Sequence, residues 1–191
     1  KTLTYPSGRT ANYTFEQAGR LSSFNGNLGG GTAVNYATSI QYNGYGLFSR
    51  ETYGTQTPLY LNLHYNRRRQ LADLRLSSTE GEWDWTRGCL TFYYGPNGID
   101  NDDPLAINTN NNGNVWHSFH YAPADNAISA YSVPMRHDYY YDALNRIALV
   151  TERQRNQSGQ WTASISQGFV YDRWGNRTID QTPVGSNDGT V

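Results

Sequence analysis

The fold is decided by one short stretch of sequence, Tyr139-Tyr140-Tyr141-Asp142-Ala143-Leu144-Asn145-Arg146-Ile147. Its aromatic run leads into an acidic residue and two variable residues, and then into Asn145 and the polar start of another apolar segment. Asp at the start of a turn accepts hydrogen bonds from backbone groups two residues on, and Asn tolerates the positive φ of a tight turn. The stretch therefore predicts two β-strands joined by a hairpin turn.

The same frame recurs along the chain. It is found again in Phe169-Val170-Tyr171-Asp172-Arg173-Trp174-Gly175-Asn176-Arg177 and, with Glu in the acidic position, in residues 13–21. Weaker copies lie at residues 42–47 and 65–71, residues 110–115 keep the second half of the frame, and a degenerate copy is expected around residues 93–98. The residues predicted to form turns and stacking contacts are Phe15, Glu16, Gly19, Arg20, Tyr42, Asn43, Gly46, Tyr65, Asn66, Gly113, Asn114, Tyr141, Asp142, Asn145, Arg146, Tyr171, Asp172, Gly175 and Asn176.

This self-similarity predicts one repeat array over residues 1–191. The approximate units are residues 1–30, 31–55, 56–80, 81–126 (a degenerate unit), 127–155 and 156–191. A single β-hairpin is only marginally stable in water, so we expect each unit to be stabilised by stacking on its neighbours. Because the chain begins at Lys1 without an initiator Met, we expect it to be a piece of something longer.

The composition favours an all-β fold. Only 37% of the 191 residues are hydrophobic and the mean hydropathy is -0.75, yet 14% are aromatic, including 16 Tyr and 5 Trp. Such a chain buries rings with polar tips more than aliphatic side chains. The 19 Gly, the 7 Pro and many Asn, Thr and Ser residues lie between short aromatic runs, a pattern typical of strands and turns.

The charge pattern excludes some classes of partner. Fifteen Lys and Arg balance sixteen Asp and Glu, so the net charge of -1 gives no field for nucleic acid or anionic lipid. Lys1 is the only lysine, and the arginines are interpreted as structural because Arg stacks well on Tyr. Cys89 stands alone, so no internal disulfide forms. No apolar stretch approaches the roughly 20 residues that span a bilayer, so membrane insertion is not expected.

The segments Tyr5-Pro6-Ser7-Gly8-Arg9, residues 15–21, residues 141–147 and residues 171–177 resemble YD repeats. These repeats belong to bacterial Rhs proteins, the Tc toxin cocoon subunits and the teneurin shell. The resemblance covers most of the chain and is patchy over residues 77–140. It implies consecutive antiparallel β-hairpins that form a curved or spiralling sheet, as an open barrel or a partial β-shell.

For function, the resemblance implies a non-catalytic structural module of a secreted or cell-surface protein. In the family such a shell commonly encloses a C-terminal toxin or supports adhesion. The chain departs from Rhs proteins in its only Asp-Pro pair, Asp103-Pro104, which lacks the Gly-Leu that follows in their self-cleaving segment. We therefore do not expect this chain alone to close a shell.

No catalytic residue, cofactor or metal site is predicted. His117 and His120 fall on opposite faces of a strand, which disfavours a shared metal. The acidic residues Asp100, Asp102 and Asp103 lack the glycine and the distal Glu of a calcium loop, so a solvated loop is favoured over calcium binding. A glycosidase-type pair of carboxylates stays an open alternative, because only geometry decides it.

The tryptophans support an alternative function. In Trp83-Asp84-Trp85 the spacing predicts two indoles on one strand face. Trp83 and Trp85 are thus candidate glycan contacts, and Trp116, Trp161 and Trp174 would add to a sugar-binding platform. The competing interpretation is packing of the rings across strands. Sequons at residues 12–14, 156–158 and 176–178 match the N-glycosylation pattern.

The predicted partners follow from the edges of the sheet. An open strip of hairpins leaves unpaired strand edges. These edges would pair with other YD repeats of the same protein or with other copies of the chain, in which case an extracellular fibre forms. A glycan is the alternative partner.

Overall fold

A computed structural model describes residues 1–54, 56–95, 110–122, 133–156 and 158–180. Within these ranges all regular structure is β-strand, and no helix there could cross a membrane. The strands are β1 (Thr2–Thr4), β2 (Thr10–Phe15), β3 (Leu21–Asn27), β4 (Val34–Tyr42), β5 (Phe48–Tyr53), β6 (Leu59–Tyr65), β7 (Leu71–Ser77), β8 (Gly88–Tyr93), β9 (His117–Ala122), β10 (Val133–Tyr141), β11 (Ile147–Arg155), β12 (Trp161–Tyr171) and β13 (Arg177–Ile179).

The order of the strands in the sheet is the order of the strands in the chain, from β1 to β13. The registers of β1 through β6 and of β9 through β13 are antiparallel at every step. The prediction of an all-β chain of consecutive antiparallel hairpins is confirmed. The six predicted unit boundaries stay a prediction.

The chain divides into two compact units. The first comprises Lys1–His64 and Asp73–Cys89, and the second comprises Tyr65–Ala72 and Leu90–Val191. Among the described residues, the buried apolar side chains of the first unit are Ala37, Ile40 and Cys89. Those of the second unit are Ala72 and Phe119.

Polar side chains occupy much of the buried volume. The largest side chains that are less than 2% exposed are Asp73, Asp138, Ser77 and Ser118. A buried polar group is costly unless it is hydrogen-bonded, so these side chains require partners across the strands. The sheet is therefore held together by directed polar contacts as well as by rings.

One turn geometry recurs in seven connections. In each, the first residue donates its N–H to the carbonyl of the fifth, and the fourth donates its N–H to the carbonyl of the first, over 2.8–3.1 Å. The fourth residue has a φ between 57° and 86°. This is a type I turn followed by a left-handed bulge residue, a common three-residue hairpin loop. The first residues are Tyr5, Glu16, Asn43, Asn66, Asp142, Asn156 and Asp172.

Side chains reinforce five of these turns. The Oδ1 atom of the first residue accepts the N–H of the third and of the fifth residue over 2.8–3.1 Å. One short polar side chain thus replaces two backbone acceptors, which explains why Asp and Asn suit this position. The five are Asn43, Asn66, Asp142, Asn156 and Asp172.

The structure differs from the expectations of the sequence at three places. One of the seven turns begins at Asn156, where the sequence indicated only a sequon over residues 156–158. Residues 78–87 connect β7 and β8, so Trp83 and Trp85 do not lie on a strand as predicted. Gly113 was predicted to hold the glycine position of a repeated turn. Instead it donates its N–H to the side-chain Oδ1 of Asn111, two residues before it, over 2.8 Å.

The reason for the second difference is visible in the loop. Asp84 is fastened to it through a bond from Thr79 Oγ1 to Asp84 Oδ2 and a bond from the Asp84 N–H to the Gly81 carbonyl. Ser77, Ser78 and Thr86 add hydroxyl contacts across the same loop. Local side-chain bonds of this kind compete with strand pairing. The degenerate copy expected around residues 93–98 lies partly outside the described residues.

Candidate functional site

A repeated tyrosine contact joins neighbouring hairpins. Each of four tyrosines donates its hydroxyl to a backbone carbonyl near the start of the preceding strand. We call these four tyrosines the hydroxyl ladder. The bonds run from Tyr42 to Leu21 (3.0 Å), from Tyr94 to Leu71 (2.9 Å), from Tyr141 to Val115 (2.7 Å) and from Tyr171 to Ile147 (2.8 Å).

The position of the ladder tyrosines follows from the turn frame. Tyr42, Tyr141 and Tyr171 each stand immediately before the first residue of a turn, and Tyr94 follows β8 directly. Burial raises the pKa of Tyr94 and of Tyr141, so both hydroxyls stay protonated and able to donate at neutral pH. The tyrosine of the frame therefore has a defined role, which is to fasten one hairpin to the one before it.

Arginine completes two steps of the ladder. The guanidinium of Arg20 lies 4.5 Å from the ring centre of Tyr42, and that of Arg146 lies 4.2 Å from Tyr171. Arg146 also bonds Asp142 of its own turn over 2.7 Å, and Arg20 bonds Glu16 in the same way. Each arginine thus links the acid of one turn to the aromatic ring of the next hairpin.

Amide side chains replace arginine in another step. Gln70 occupies the fifth position of the turn that begins at Asn66, and it exchanges hydrogen bonds with Asn111 over 2.6 and 3.3 Å. Asn114 Nδ2 similarly donates to Asn145 Oδ1 over 3.0 Å. These contacts are all within the second unit and join turns that are distant in the sequence.

Several of the predicted repeat residues lie in these turns or at the ends of the strands beside them. Gly19, Gly46, Asn145 and Gly175 hold the positive-φ position of a turn, and Arg69 holds it in the turn after β6. Phe15 ends β2 and Tyr65 ends β6. Asn176 Nδ2 donates to Asp172 Oδ2 over 2.8 Å, so that side chain supports its own turn.

The tryptophans have separate environments. Trp83 is 49% exposed, but one face of its indole is covered by the His64 ring, with 4.1 Å between centres and 8° between planes. Trp85 is half-buried. In the second unit, Trp161 packs on Phe119 at 5.5 Å, Trp116 lies 6.3 Å from Tyr141, and Trp174 is exposed.

A buried carboxylate organises part of the first unit. Asp73 is 1% exposed and accepts bonds from His64 Nδ1 at 2.6 Å and from Arg75 Nε at 2.8 Å. Arg75 also donates to the Trp83 carbonyl, which fastens the loop after β7. Burial alone would raise the pKa of Asp73, but the bonds from His64 and Arg75 outweigh it and lower the pKa.

A second carboxylate has the same role in the second unit. Asp138 on β10 is 1% exposed and contacts His117 on β9, at 2.7 Å, and Arg153 on β11, at 2.6 Å. Arg136 from its own strand is the third partner. Burial would raise the pKa of Asp138, yet the bonds from His117 and Arg136 lower it. Three successive strands are thus joined at one charge.

These clusters were missed from the sequence. Their only signal is an Asp and an Arg two residues apart, in Asp73-Leu74-Arg75 and in Arg136-His137-Asp138, which places both side chains on one strand face. The histidine comes from the neighbouring strand, and strand register alone reveals it.

Both clusters hold a buried carboxylate through hydrogen bonds from a histidine and an arginine. The His117 Nε2 atom is buried and has no hydrogen-bond partner among the described residues, so solvent and substrate are kept from the nitrogen that would act as a base. Burial raises the pKa of the Cys89 thiol to about 12, which keeps it an unreactive thiol. Within the described ranges, no group of three or more His, Cys, Asp or Glu residues could hold a metal ion.

Comparison with known proteins gives a likeness in structure. Neither family models nor curated proteins yield a match. The crystal structure of TcdB2-TccC3-TEV aligns with 93% of this chain at a TM-score of 0.63 and 22% identity. That of TcdB2-TccC3 without its hypervariable C-terminal region also aligns with 93%, at a TM-score of 0.51 and 13% identity. The chain spans 8% and 9% of those chains, so the likeness shows a shared fold over a small part of each of them.

Proposed function

We propose that this chain is a non-catalytic structural repeat module of a secreted or cell-surface protein. Its hairpins pair through their outer strands with further YD-type hairpins of the same protein, and together they build a β-shell. The single observation that carries the proposal is the hydroxyl ladder, in which the same tyrosine contact fastens a hairpin to the preceding one at four places.

The polar contacts support this assignment because they act between strands. Glu16, Arg20 and Tyr42 form one link between hairpins, and Asp142, Arg146 and Tyr171 form another. In a repeat protein, stability is approximately a sum of unit terms and nearest-neighbour terms. Residue types that would suggest catalysis elsewhere are used here to hold neighbouring strands.

The likeness to TcdB2-TccC3 supports the larger context. The aligned part is less than a tenth of each of those chains, which is what a module of a much longer array would give. A shell component of the kind that the resemblance to YD repeats implies would lie outside the cell, which is the localisation proposed for this chain.

A truncation series tests the repeat-array proposal. A chain that ends at Asn156 loses the β12–β13 hairpin and the turn between its strands. Because neighbours stabilise one another step by step, we expect this chain to keep its β-sheet circular dichroism and to unfold at a lower urea concentration. Complete unfolding on this truncation would contradict the array and indicate one indivisible domain.

The matched control is a chain only six residues shorter. Ending at Val150 removes Arg153, which is a partner of the buried Asp138 carboxylate. The loss of a partner of a buried charge costs about 3–5 kcal/mol, so we expect this small extra truncation to unfold the second unit. Comparing the chain that ends at Asn156 with the chain that ends at Val150 distinguishes the loss of one hairpin from the loss of a partner of the Asp138 carboxylate.

The fibre is an alternative form of the same structural function. Pairing between the edges of separate copies would give a polymer. Electron microscopy of the purified chain distinguishes the two forms, since filaments support the fibre and monodisperse monomers contradict it.

A second candidate function is glycan binding, and the exposure of Trp83 favours it. His64 stacks on the indole at 4.1 Å between ring centres and the Arg75 guanidinium lies 5.0 Å from its centre, so a sugar would contact the part of the ring that stays exposed. On a glycan array, we expect Trp83→Ala to abolish any specific signal and Trp85→Ala, at the half-buried position, to weaken it. A signal that survives both substitutions would exclude these residues as the binding site.

A further inference from the structure

The outer edge of β13 is the feature from which a further inference follows. β13 pairs with β12 through Tyr171 opposite Arg177, Val170 opposite Thr178 and Phe169 opposite Ile179. In the part of the chain that the structure describes, β13 has no second neighbour, and all three of its residues are exposed. An edge of this kind is a template for another strand.

The hydrogen-bond pattern shows which groups point outward. Asp172 donates its N–H to the Asn176 carbonyl, and Asp180 donates to the Gly168 carbonyl. In an antiparallel pair the bonded positions alternate, so Thr178 faces β12 while the backbone groups of Arg177 and Ile179 face away from it. The outer edge therefore presents the N–H and carbonyl groups of these two residues.

Arg177 holds the position of a ladder acceptor. Ile147 is the first residue of β11, lies opposite Tyr141, and receives the hydroxyl of Tyr171. Leu21 is likewise the first residue of β3, lies opposite Phe15, and receives the hydroxyl of Tyr42. Arg177 is the first residue of β13 and lies opposite Tyr171. Its carbonyl is the next acceptor in the same series.

We propose that the outer edge of β13 binds a further hairpin whose first strand ends in a tyrosine directly before an Asp or Asn turn, and that this tyrosine donates its hydroxyl to the Arg177 carbonyl. The inference rests on the proposed structural function and names the chemistry of the partner. Asn176 stands where Arg20 and Arg146 stand in the other turns, so the incoming ring packs against its amide.

A second copy of the chain does not fit this edge as well. β1 is the strand at the other end of the order, and it ends at Thr4, before the turn that begins at Tyr5. Thr4 has no ring to stack and too short a side chain to take the place of a tyrosine. Head-to-tail pairing of copies therefore leaves the Arg177 carbonyl without its tyrosine donor.

The test extends the full chain by one hairpin. A second copy of residues 161–180 is fused after Val191, so that residues 181–191 become the connecting segment. Three forms are compared, in which the appended copy of Tyr171 is retained or carries Tyr171→Phe or Tyr171→Thr. The readout is native-state hydrogen exchange at the amides of Arg177 and Ile179, with the unextended chain as reference.

We expect the form that retains tyrosine to slow exchange at both amides. The Phe form keeps the ring and loses the hydroxyl bond, which corresponds to about a twofold to tenfold loss of protection. The Thr form, which imitates β1, loses most of the protection. The same Tyr171→Phe change at the original position is the positive control, because that hydroxyl bond is present in the structure.

The outcomes separate this inference from the proposed function. Equal protection by Tyr, Phe and Thr would overturn the tyrosine assignment and leave the repeat-array proposal to the truncation series. Absence of protection in all three forms, together with self-association of the unextended chain in analytical ultracentrifugation, would overturn the further hairpin in favour of a second copy.

Discussion

Asp138 shows at the scale of one residue how this chain replaces an aliphatic core. Its carboxylate is buried among His117, Arg136 and Arg153, which lie on the neighbouring strands β9, β10 and β11. A buried charge is tolerated only when it is paired and hydrogen-bonded. The cluster therefore specifies the register of β9, β10 and β11, because a slip of one residue would place the charge on the other face.

The first prediction concerns this carboxylate. Asp138→Asn leaves Arg136 and Arg153 without a counter-ion in a buried site, and we expect the free energy of unfolding to fall by about 3–5 kcal/mol. Urea unfolding followed by circular dichroism measures it. The matched control is Asp172→Asn at an exposed turn, where Asn43 and Asn66 show that an amide serves as well. Equal effects of the two substitutions would contradict the role of Asp138.

At the scale of the element, the repeated turn depends on one left-handed residue. Glycine holds this position in five of the seven turns, at residues 8, 19, 46, 159 and 175. Arg69 and Asn145 adopt the same φ with a side chain, which costs backbone energy that the surrounding contacts offset. The turn is therefore a property of backbone geometry first and of side-chain bonding second.

The second prediction isolates that geometry. Gly159 has a φ of 77° and open space where a Cβ would stand, so Gly159→Ala tests the dihedral angle alone. We expect a loss of about 1–2 kcal/mol in the free energy of unfolding. Gly44→Ala is the control, since that glycine also has open space and its φ is outside the left-handed region. A similar loss at both positions would show that the left-handed conformation is not the cause.

The sequence predicted the turns wherever all parts of the frame are present. Asp142 and Asp172 each follow a tyrosine and precede a Gly or Asn, and both were identified. Asn156 follows Arg155, so its turn had no aromatic marker. The spacing of Trp83 and Trp85 predicts one face of a strand, but the hydroxyl and carboxylate bonds of the loop determine its conformation.

The sequence predicts the contacts of the candidate site that are local in the chain, and it does not predict those that form between strands. The pairing of Arg146 with Asp142 is local in sequence, whereas His117 and Asp138 are 21 residues apart and meet only through strand register. The hydroxyl ladder also depends on register, because each acceptor lies at or just before the start of the preceding strand. The residue types predict the hydrogen bonds within each turn. The contacts between strands depend on the strand register, which the residue types do not give.

At the scale of the whole molecule, stability depends on the ionisation of these carboxylates. Hydrogen bonds from His64 and Arg75 lower the folded-state pKa of Asp73, and those from His117 and Arg136 lower that of Asp138. The unfolded chain, with an Asp pKa of about 3.9, binds more protons than the folded chain in acid. Their contribution to stability is thus present above that pKa and is lost as the pH falls through the folded pKa values.

The third prediction is an acid-dependent loss of stability with two components. Burial and the nearby His137 lower the pKa of His120, so stability also falls as the pH drops below the unfolded His value of about 6.5. We expect urea midpoints to decline in both ranges. His120→Gln should flatten the upper range, and Asp138→Asn should make the acid slope shallower. A wild-type midpoint that does not change between pH 7 and pH 3 would contradict both assignments.

The agreement between strand order and chain order has a mechanical consequence. Because the backbone hydrogen bonds of each described strand run to strands adjacent to it in the order, a force applied along the chain loads the outermost hairpin and peels it away before its neighbour. Hairpins would then unfold from the end of the sheet one after another, and they would refold onto it in the reverse order. A protein built from such strips could be extended by tension in steps of one hairpin without losing the remainder of its structure.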